Sequence, residues 1–155
     1  MAALPTIRPV ERTDFDEWLR LWDGYNSFYG RSGATALPAE VSRTTWERFF
    51  DPREPVQALV ADGQTRLVGL AHCIFHRSTI MIGPTCYLQD LFTVNEERGR
   101  GVGRALIEAV YAEAEKAGAS RVYWLTQEDN AAARRLYDDV ATYAGFIQYR
   151  KQIGG

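Results

Sequence analysis

Apolar positions along this chain recur first at a helical spacing, then in short alternating or continuous runs, then at a helical spacing again. TIRPV is a short apolar segment closed by Pro9, suited to a first strand. From Phe15 to Phe28 the residues Phe15, Trp18, Leu19, Leu21, Trp22 and Tyr25 spread over one broad face, and Asp14 stands where a helix N-cap belongs. Gly30 to Leu37 reads as a loop. Pro38 to Phe50, with Val41, Trp46, Phe49 and Phe50 apolar, predicts a second helix, stopped by the Asp51-Pro52 and Glu54-Pro55 pairs.

Two runs, VQALVA and RLVGLAHCIFH, flank Asp62-Gly63, a strong hairpin signal, and are expected to pair antiparallel. After the Gly83-Pro84 break, TCYLQDLFTV over 85–94 predicts a further strand. Ile107, Val110, Ala114 and Ala117 then follow Gly103 at spacings of four, three, four and three, which predicts a helix over 101–117 ending at Gly118. RVYWLT, 121–126, is a β-branched and aromatic strand, and Asn130 to Val140 a second helical stretch behind it. Strand, helix and strand over 85–126 make a βαβ unit, so part of the sheet is expected to be parallel. The terminal GFIQYRK reads as a last strand or a tail that faces a partner.

The 155 residues suit one domain, 1–155, of ordinary composition, 46% hydrophobic and 25% charged. A net charge of −2 gives no global electrostatic case for nucleic acid or an anionic membrane. No apolar run reaches the roughly 18 residues of a membrane span, and the N-terminus lacks a signal-peptide pattern, so a cytoplasmic location is expected. The two cysteines, Cys73 and Cys86, read as small buried hydrophobes of a reduced protein. His72 and His76 stand four apart, but in a strand-like run and without further ligands, so no metal site is expected.

The chemistry concentrates at Gly99, Gly101 and Gly103, with Arg98, Arg100 and Arg104 interleaved, between a strand and the start of a helix. An isolated turn of this kind is ordinarily a solvated surface loop. In a strand–loop–helix context, glycine lets backbone amides approach a ligand, the helix N-terminus adds partial positive charge, and arginine adds bidentate donors. That combination suits a phosphate. A P-loop would need Gly-Lys-Ser/Thr, and a dinucleotide fingerprint would need glycine where Arg104 stands, so neither nucleotide motif fits.

What remains is R-x-x-G-x-G at Arg98, Gly101 and Gly103, followed downstream by N-x-x-A-x-x-L-Y at Asn130, Ala133, Leu136 and Tyr137. This pair of motifs resembles the GNAT superfamily of N-acetyltransferases. YLQDLFTV and RVYWLTQEDNAAARRLYDDVA look most like its Hpa-type histone and polyamine acetyltransferases, and the likeness covers 85–151 well. The resemblance implies a mixed α/β fold: a largely antiparallel sheet of about six to seven strands with a parallel βαβ unit and a V-shaped splay, flanked by about four helices. It implies acetyl-CoA as co-substrate, its pantetheine on the backbone of Leu91, Phe92 and Thr93. The pyrophosphate would lie on Arg98, Gly99, Arg100, Gly101, Val102, Gly103 and Arg104, with Asn130 and Ala133 opposite.

The same resemblance makes Tyr137 the proton donor to the departing sulfur. The amine must lose a proton before it attacks, and here the sequence departs from the polyamine enzymes, whose strand commonly reads Leu-Glu-Asp. Gln89 cannot accept a proton, so the nearest carboxylate is Asp90, as base or as a structural group beside a water chain. On a regularly alternating strand residues 89 and 90 face opposite ways. Acceptor choice, for a small amine or polyamine or a protein lysine or N-terminus, is expected among Trp22, Tyr25, Tyr29, Trp46 and the loop 30–37, with Tyr87, Trp124 and Asp23, although most of these aromatics read first as core. Transfer of another acyl group, or an acyl-CoA sensing module without turnover, stand as rivals, and a homodimer through FIQYRK is implied by the Hpa-type likeness.

Overall fold

Asp62-Gly63 turns the chain back on itself, with Gln64 at φ 77° completing the reversal. The strands it joins, β2 (Val56–Asp62) and β3 (Leu67–His76), pair antiparallel as expected. The computed structural model describes residues 3–154. β1 (Thr6–Pro9) adds to the free side of β2, and β4 (Thr85–Thr93) to the free side of β3, both antiparallel. β5 (Arg121–Tyr123) closes the sheet parallel to β4, giving the order β1-β2-β3-β4-β5.

Two helices cover the sheet. α1 (Phe15–Phe28) buries Trp18, Leu21, Trp22 and Tyr25 against one face, and α3 (Val102–Lys116) buries Val102, Leu106, Ile107, Val110 and Ala114 against the other. β3 is therefore covered on both sides, which is why its sequence is a nearly unbroken apolar run. Gly69 lets α3 come close, since a Cβ there would stand 2.9 Å from the Phe92 carbonyl oxygen and 3.1 Å from Leu106. The second helix, α2 (Ala39–Arg48), packs Trp46 against Phe15, Trp18, Phe49 and Phe50.

Asp14 occupies the position before α1 but makes no side-chain cap bond. Its carboxylate accepts the Glu11 N–H at 2.8 Å and Arg8 at 2.7 and 3.0 Å, while Arg8 Nε also reaches Asp62 at 3.0 Å. The residue read as a helix cap is thus a clamp between β1, β2 and α1.

The chain divides into two compact units, one ending at Leu125 and one beginning at Thr126. The second consists of α4 (Ala131–Val140) and a following segment without regular structure. Two expectations need correction here. β5 stops at Tyr123 instead of running to 126, and 145–151 forms no strand, so the sheet has five strands among the described residues, not six or seven. The cause lies in pairing: a strand persists only where a neighbouring strand takes its backbone groups, and among the described residues the β4–β5 ladder ends at Tyr87↔Tyr123. Phe146, Ile147 and Tyr149 are apolar and β-prone, yet all three are exposed.

Candidate active site

The glycine turn has the shape its composition predicts. A 3-10 turn over Asn95–Glu97 leads from β4 into Arg98, then Gly99 at φ 75° and Gly101 at φ 88°, both left-handed positions that favour glycine. Gly101 is the N-cap of α3, and the first helical bond runs from Ala105 N–H to its carbonyl, so the amides of Val102 and Gly103 precede the helical ladder. Apart from its chain neighbours, no atom of the described residues lies within 4 Å of a Cβ built at Gly99, so the turn is open there. Arg98 donates from Nε to the Thr93 carbonyl at 3.1 Å and lies over the Phe28 and Phe92 rings, which ties the turn to the end of β4. Arg100 pairs with Glu97 at 3.5 Å. Open amides at a long helix's N-terminus fit a pyrophosphate.

Beside the turn the sheet parts. β4 and β5 pair only at Thr85↔Arg121, Cys86↔Val122 and Tyr87↔Tyr123, so from Leu88 to Thr93 the β5 side of β4 has no strand partner among the described residues. Leu91, Phe92 and Thr93, the residues expected to hold pantetheine, lie along this open edge. Tyr87–Tyr123 is the last rung of this pairing, the vertex from which the open edge begins.

A bulge sits just past that vertex. Cys73 lies opposite Leu88 and His72 opposite Asp90, which leaves Gln89 unopposed. Leu88 and Cys86 consequently lie on the α3 face, while Asp90 and Phe92 turn to the α1 face. Regular alternation would have kept Leu88 and Asp90 together; the extra residue brings Asp90 under α1 instead.

There Asp90 is buried among aromatic rings. Its Oδ2 lies 2.9 Å from His72 Nδ1, and Trp18 Nε1 lies 3.0 Å from His72 Nε2. Indole N–H can only donate, so Nε2 accepts, and the imidazole proton sits on Nδ1 and is donated to Asp90. The Tyr25 hydroxyl bonds the same carboxylate; burial first, and then the charge of Asp90, push the Tyr25 pKa well above the ordinary phenol value. Trp22 stacks on Tyr25 at 5.3 Å and on Trp18 at 6.0 Å, so three of the aromatics on α1 form one slab over His72. Of the aromatics named for acceptor choice, Trp22, Tyr25 and Trp46 therefore build core, the reading favoured for most of them. Tyr29 remains exposed at 37%, and Arg31 lies near the Tyr25 and Tyr29 rings. A cavity of about 470 Å³ opens between α1, the 30–38 loop and α2, with Asp23, Arg31 and Arg43 among its lining.

His76, four residues along the same strand, is exposed. Its Nδ1 lies 2.8 Å from the Arg77 carbonyl and its Nε2 2.8 Å from the Tyr123 hydroxyl, and Tyr123 stacks on Tyr87 at 4.9 Å. Sequence reading missed both His72 and His76 as partners of the site residues, because each pairs with a side chain 18 or 47 positions away. On the opposite face Cys73 and Cys86 are buried and bonded thiol to thiol; the neighbouring thiol and burial push Cys73 up and keep it protonated. Among the described residues no group of three or more His, Cys, Asp or Glu is placed to hold a metal ion, and no helix is long and apolar enough to cross a membrane.

In the second unit Asn130 is the N-cap of α4, its side-chain oxygen accepting the Ala133 N–H at 3.4 Å. Ala133 and Tyr137 follow at helical spacing and share a face of α4, and Arg134 donates to the Glu128 carbonyl at 2.7 Å. The motif residue Asn130 thus shapes the start of the helix that carries Tyr137.

Comparison with known proteins bears on this geometry. Residues 16–141 match the model of the Acetyltransferase (GNAT) family. The chain is 35% identical over 147 residues to the D-amino-acid N-acetyltransferase HPA3 of Saccharomyces cerevisiae, covering 94% of this chain and 89% of that protein. Among solved structures, a probable acetyltransferase superposes with a TM-score of 0.82 at 23% identity, over 97% of this chain and 99% of that one. AAC(6')-Iy in complex with the bisubstrate analog CoA-S-monomethyl-acetylneamine superposes with a TM-score of 0.79 at 19% identity, over 96% and 98%. With the motifs, the parted sheet and these relatives in agreement, the chain belongs to the acetyltransferase (GNAT) family and is an acyltransferase.

Proposed function

We propose that the protein moves the acetyl group of acetyl-CoA to the primary amine of a small amino acid, by direct attack while both substrates are bound. The observation that carries this reading is the open edge of β4 from Leu88 to Thr93, ending in the glycine turn that caps α3. Acetyl-CoA supplies an activated thioester. Backbone groups of Leu91, Phe92 and Thr93 hold the pantetheine arm, and the amides from Arg98 to Arg104 take the pyrophosphate. The acceptor class follows the relative HPA3, named for D-amino acids.

In the reaction the neutral amine nitrogen bonds to the acyl carbon, and the carbon–sulfur bond breaks as the tetrahedral oxyanion collapses. N–H groups along the open edge stabilise that oxyanion. Tyr137 gives a proton to the leaving thiolate, a role carried over from its motif with Asn130 and Ala133. Asp90, held by His72 and Tyr25, supplies the negative charge that draws the acceptor's ammonium toward the vertex. The segment 145–151, with Phe146 and Tyr149 exposed, pairs with a second copy to give a homodimer; light scattering should find twice the 17.5 kDa of one chain.

Thiol release from acetyl-CoA tests the reading, over D- and L-amino acids, spermidine and a histone-tail peptide. Amine-dependent release favouring the D-amino acids, and reduced about 10²-fold in Tyr137→Phe, is the expected result. No release with any amine, or equal rates across the panel, would overturn it.

A further inference from the structure

We infer that Tyr123 and His76 form the route by which the acceptor amine loses its proton, with Tyr123 touching the amine and His76 receiving the proton behind it. The inference rests on the amine-acetylating reading and deepens it, since Gln89 leaves the reaction without a base at the strand position used by the polyamine enzymes.

Three observations carry it. The first is position: Tyr123 is paired with Tyr87 on the last rung of the β4–β5 ladder, where the open β4 edge begins. The second is the hydrogen-bond order. The Arg77 carbonyl can only accept, so His76 Nδ1 carries the ring proton, and Nε2 is left as an acceptor for the Tyr123 O–H. With its proton committed to Nε2, the Tyr123 oxygen has lone pairs available for an ammonium N–H. The third is access: His76 is exposed and Tyr123 half-buried, whereas Asp90 is buried beneath α1 and already bonded by His72 and Tyr25.

The step balances without any further reactant. One ammonium N–H bond breaks and its proton passes to the Tyr123 oxygen as the Tyr123 proton passes to His76 Nε2. The resulting imidazolium, held through Nδ1 by the Arg77 carbonyl, gives its proton to water, and the amine keeps the electron pair that attacks the thioester. Around the pair stand Tyr87 and Cys86 from β4, Arg121 from β5 and Arg77 beyond β3; burial holds Tyr123 protonated above the ordinary phenol range.

The test compares wild type with Tyr123→Phe, His76→Gln and Asp90→Asn, measuring acetyl transfer to one D-amino acid from neutral pH up to the amine's own pKa, with acetyl-CoA binding by calorimetry alongside. Tyr123→Phe and His76→Gln are expected to lower kcat about 10²-fold near neutrality and to approach wild type as solvent deprotonates the amine, while acetyl-CoA binding stays within about twofold. A merely structural role would lower the rate equally at every pH. His76 is exposed, so its variant stays informative if Tyr123→Phe fails to fold. Rates like wild type in both variants, or a pH-dependent loss confined to Asp90→Asn, would overturn the relay and leave the acetyltransferase reading standing; a wild type inactive with every amine would overturn both.

Discussion

His72 and His76 lie on the same strand, four residues apart and on the same face, yet their surroundings give them opposite chemistry. His72 is roofed by Trp18, Trp22 and Phe49 and has both ring nitrogens committed, one to Trp18 and one to Asp90. His76, past the reach of α1, has one nitrogen committed to a backbone carbonyl and the other to a hydroxyl, with solvent alongside. A buried histidine between a fixed donor and a fixed carboxylate braces the fold, because a proton arriving there has nowhere to go without breaking a bond. An exposed one can pass a proton on.

Breaking the buried member should cost most. His72→Ala leaves the Asp90 carboxylate and the Trp18 N–H without their partner in an apolar slab, and should lower unfolding free energy by about 3 kcal/mol in urea titrations; a loss under about 1 kcal/mol would mean the network is replaceable by water. Trp18→Phe keeps most of the ring packing but removes the donor to Nε2, so a loss of about 1–2 kcal/mol is expected in the same titrations. Acid sensitivity comes next. Arg8 bonding lowers the carboxyl pKa of Asp14, and the Gln64 N–H with Arg8 lowers that of Asp62. Their contribution is full above the unfolded carboxylate pKa of about 3.9 and is lost as pH falls through the lower folded values. Arg8→Met should therefore flatten the acid limb of a stability-against-pH curve. The smallest stability effect belongs to His76→Ala, expected within about 0.5 kcal/mol of wild type despite its loss of rate; a large loss of stability would erase the contrast between the two histidines.

How much of this was legible depended on the range of the interactions. The helix over 102–116, the Asp62-Gly63 hairpin and the glycine turn each rest on residues a few positions apart, and each formed within a residue or two of expectation. The two motifs were readable for the same reason: R-x-x-G-x-G shapes one turn, and N-x-x-A-x-x-L-Y one helix with its cap. Asp14 stands at the N-cap of α1 as read, but makes no cap bond because Arg8 takes its carboxylate from an adjacent strand. Trp22 and Tyr25 of α1 lie in the core, the reading that their apolar spacing favoured, but periodicity shows only that they share a face and not that β3 fills the space in front of it.

The sequence by itself determined the order of elements, the shape of the glycine turn and the family, because spacing over a few residues sets backbone shape and a motif travels with its local geometry. Tertiary structure decided which groups around the vertex meet. Gln89 bulges only because β3 and β4 pair in one particular register, and that extra residue turns Asp90 to the α1 face. His76 finds Tyr123 only because β3, β4 and β5 lie side by side. Pairing of strands is a long-range choice made by the whole core, and no local pattern encodes it.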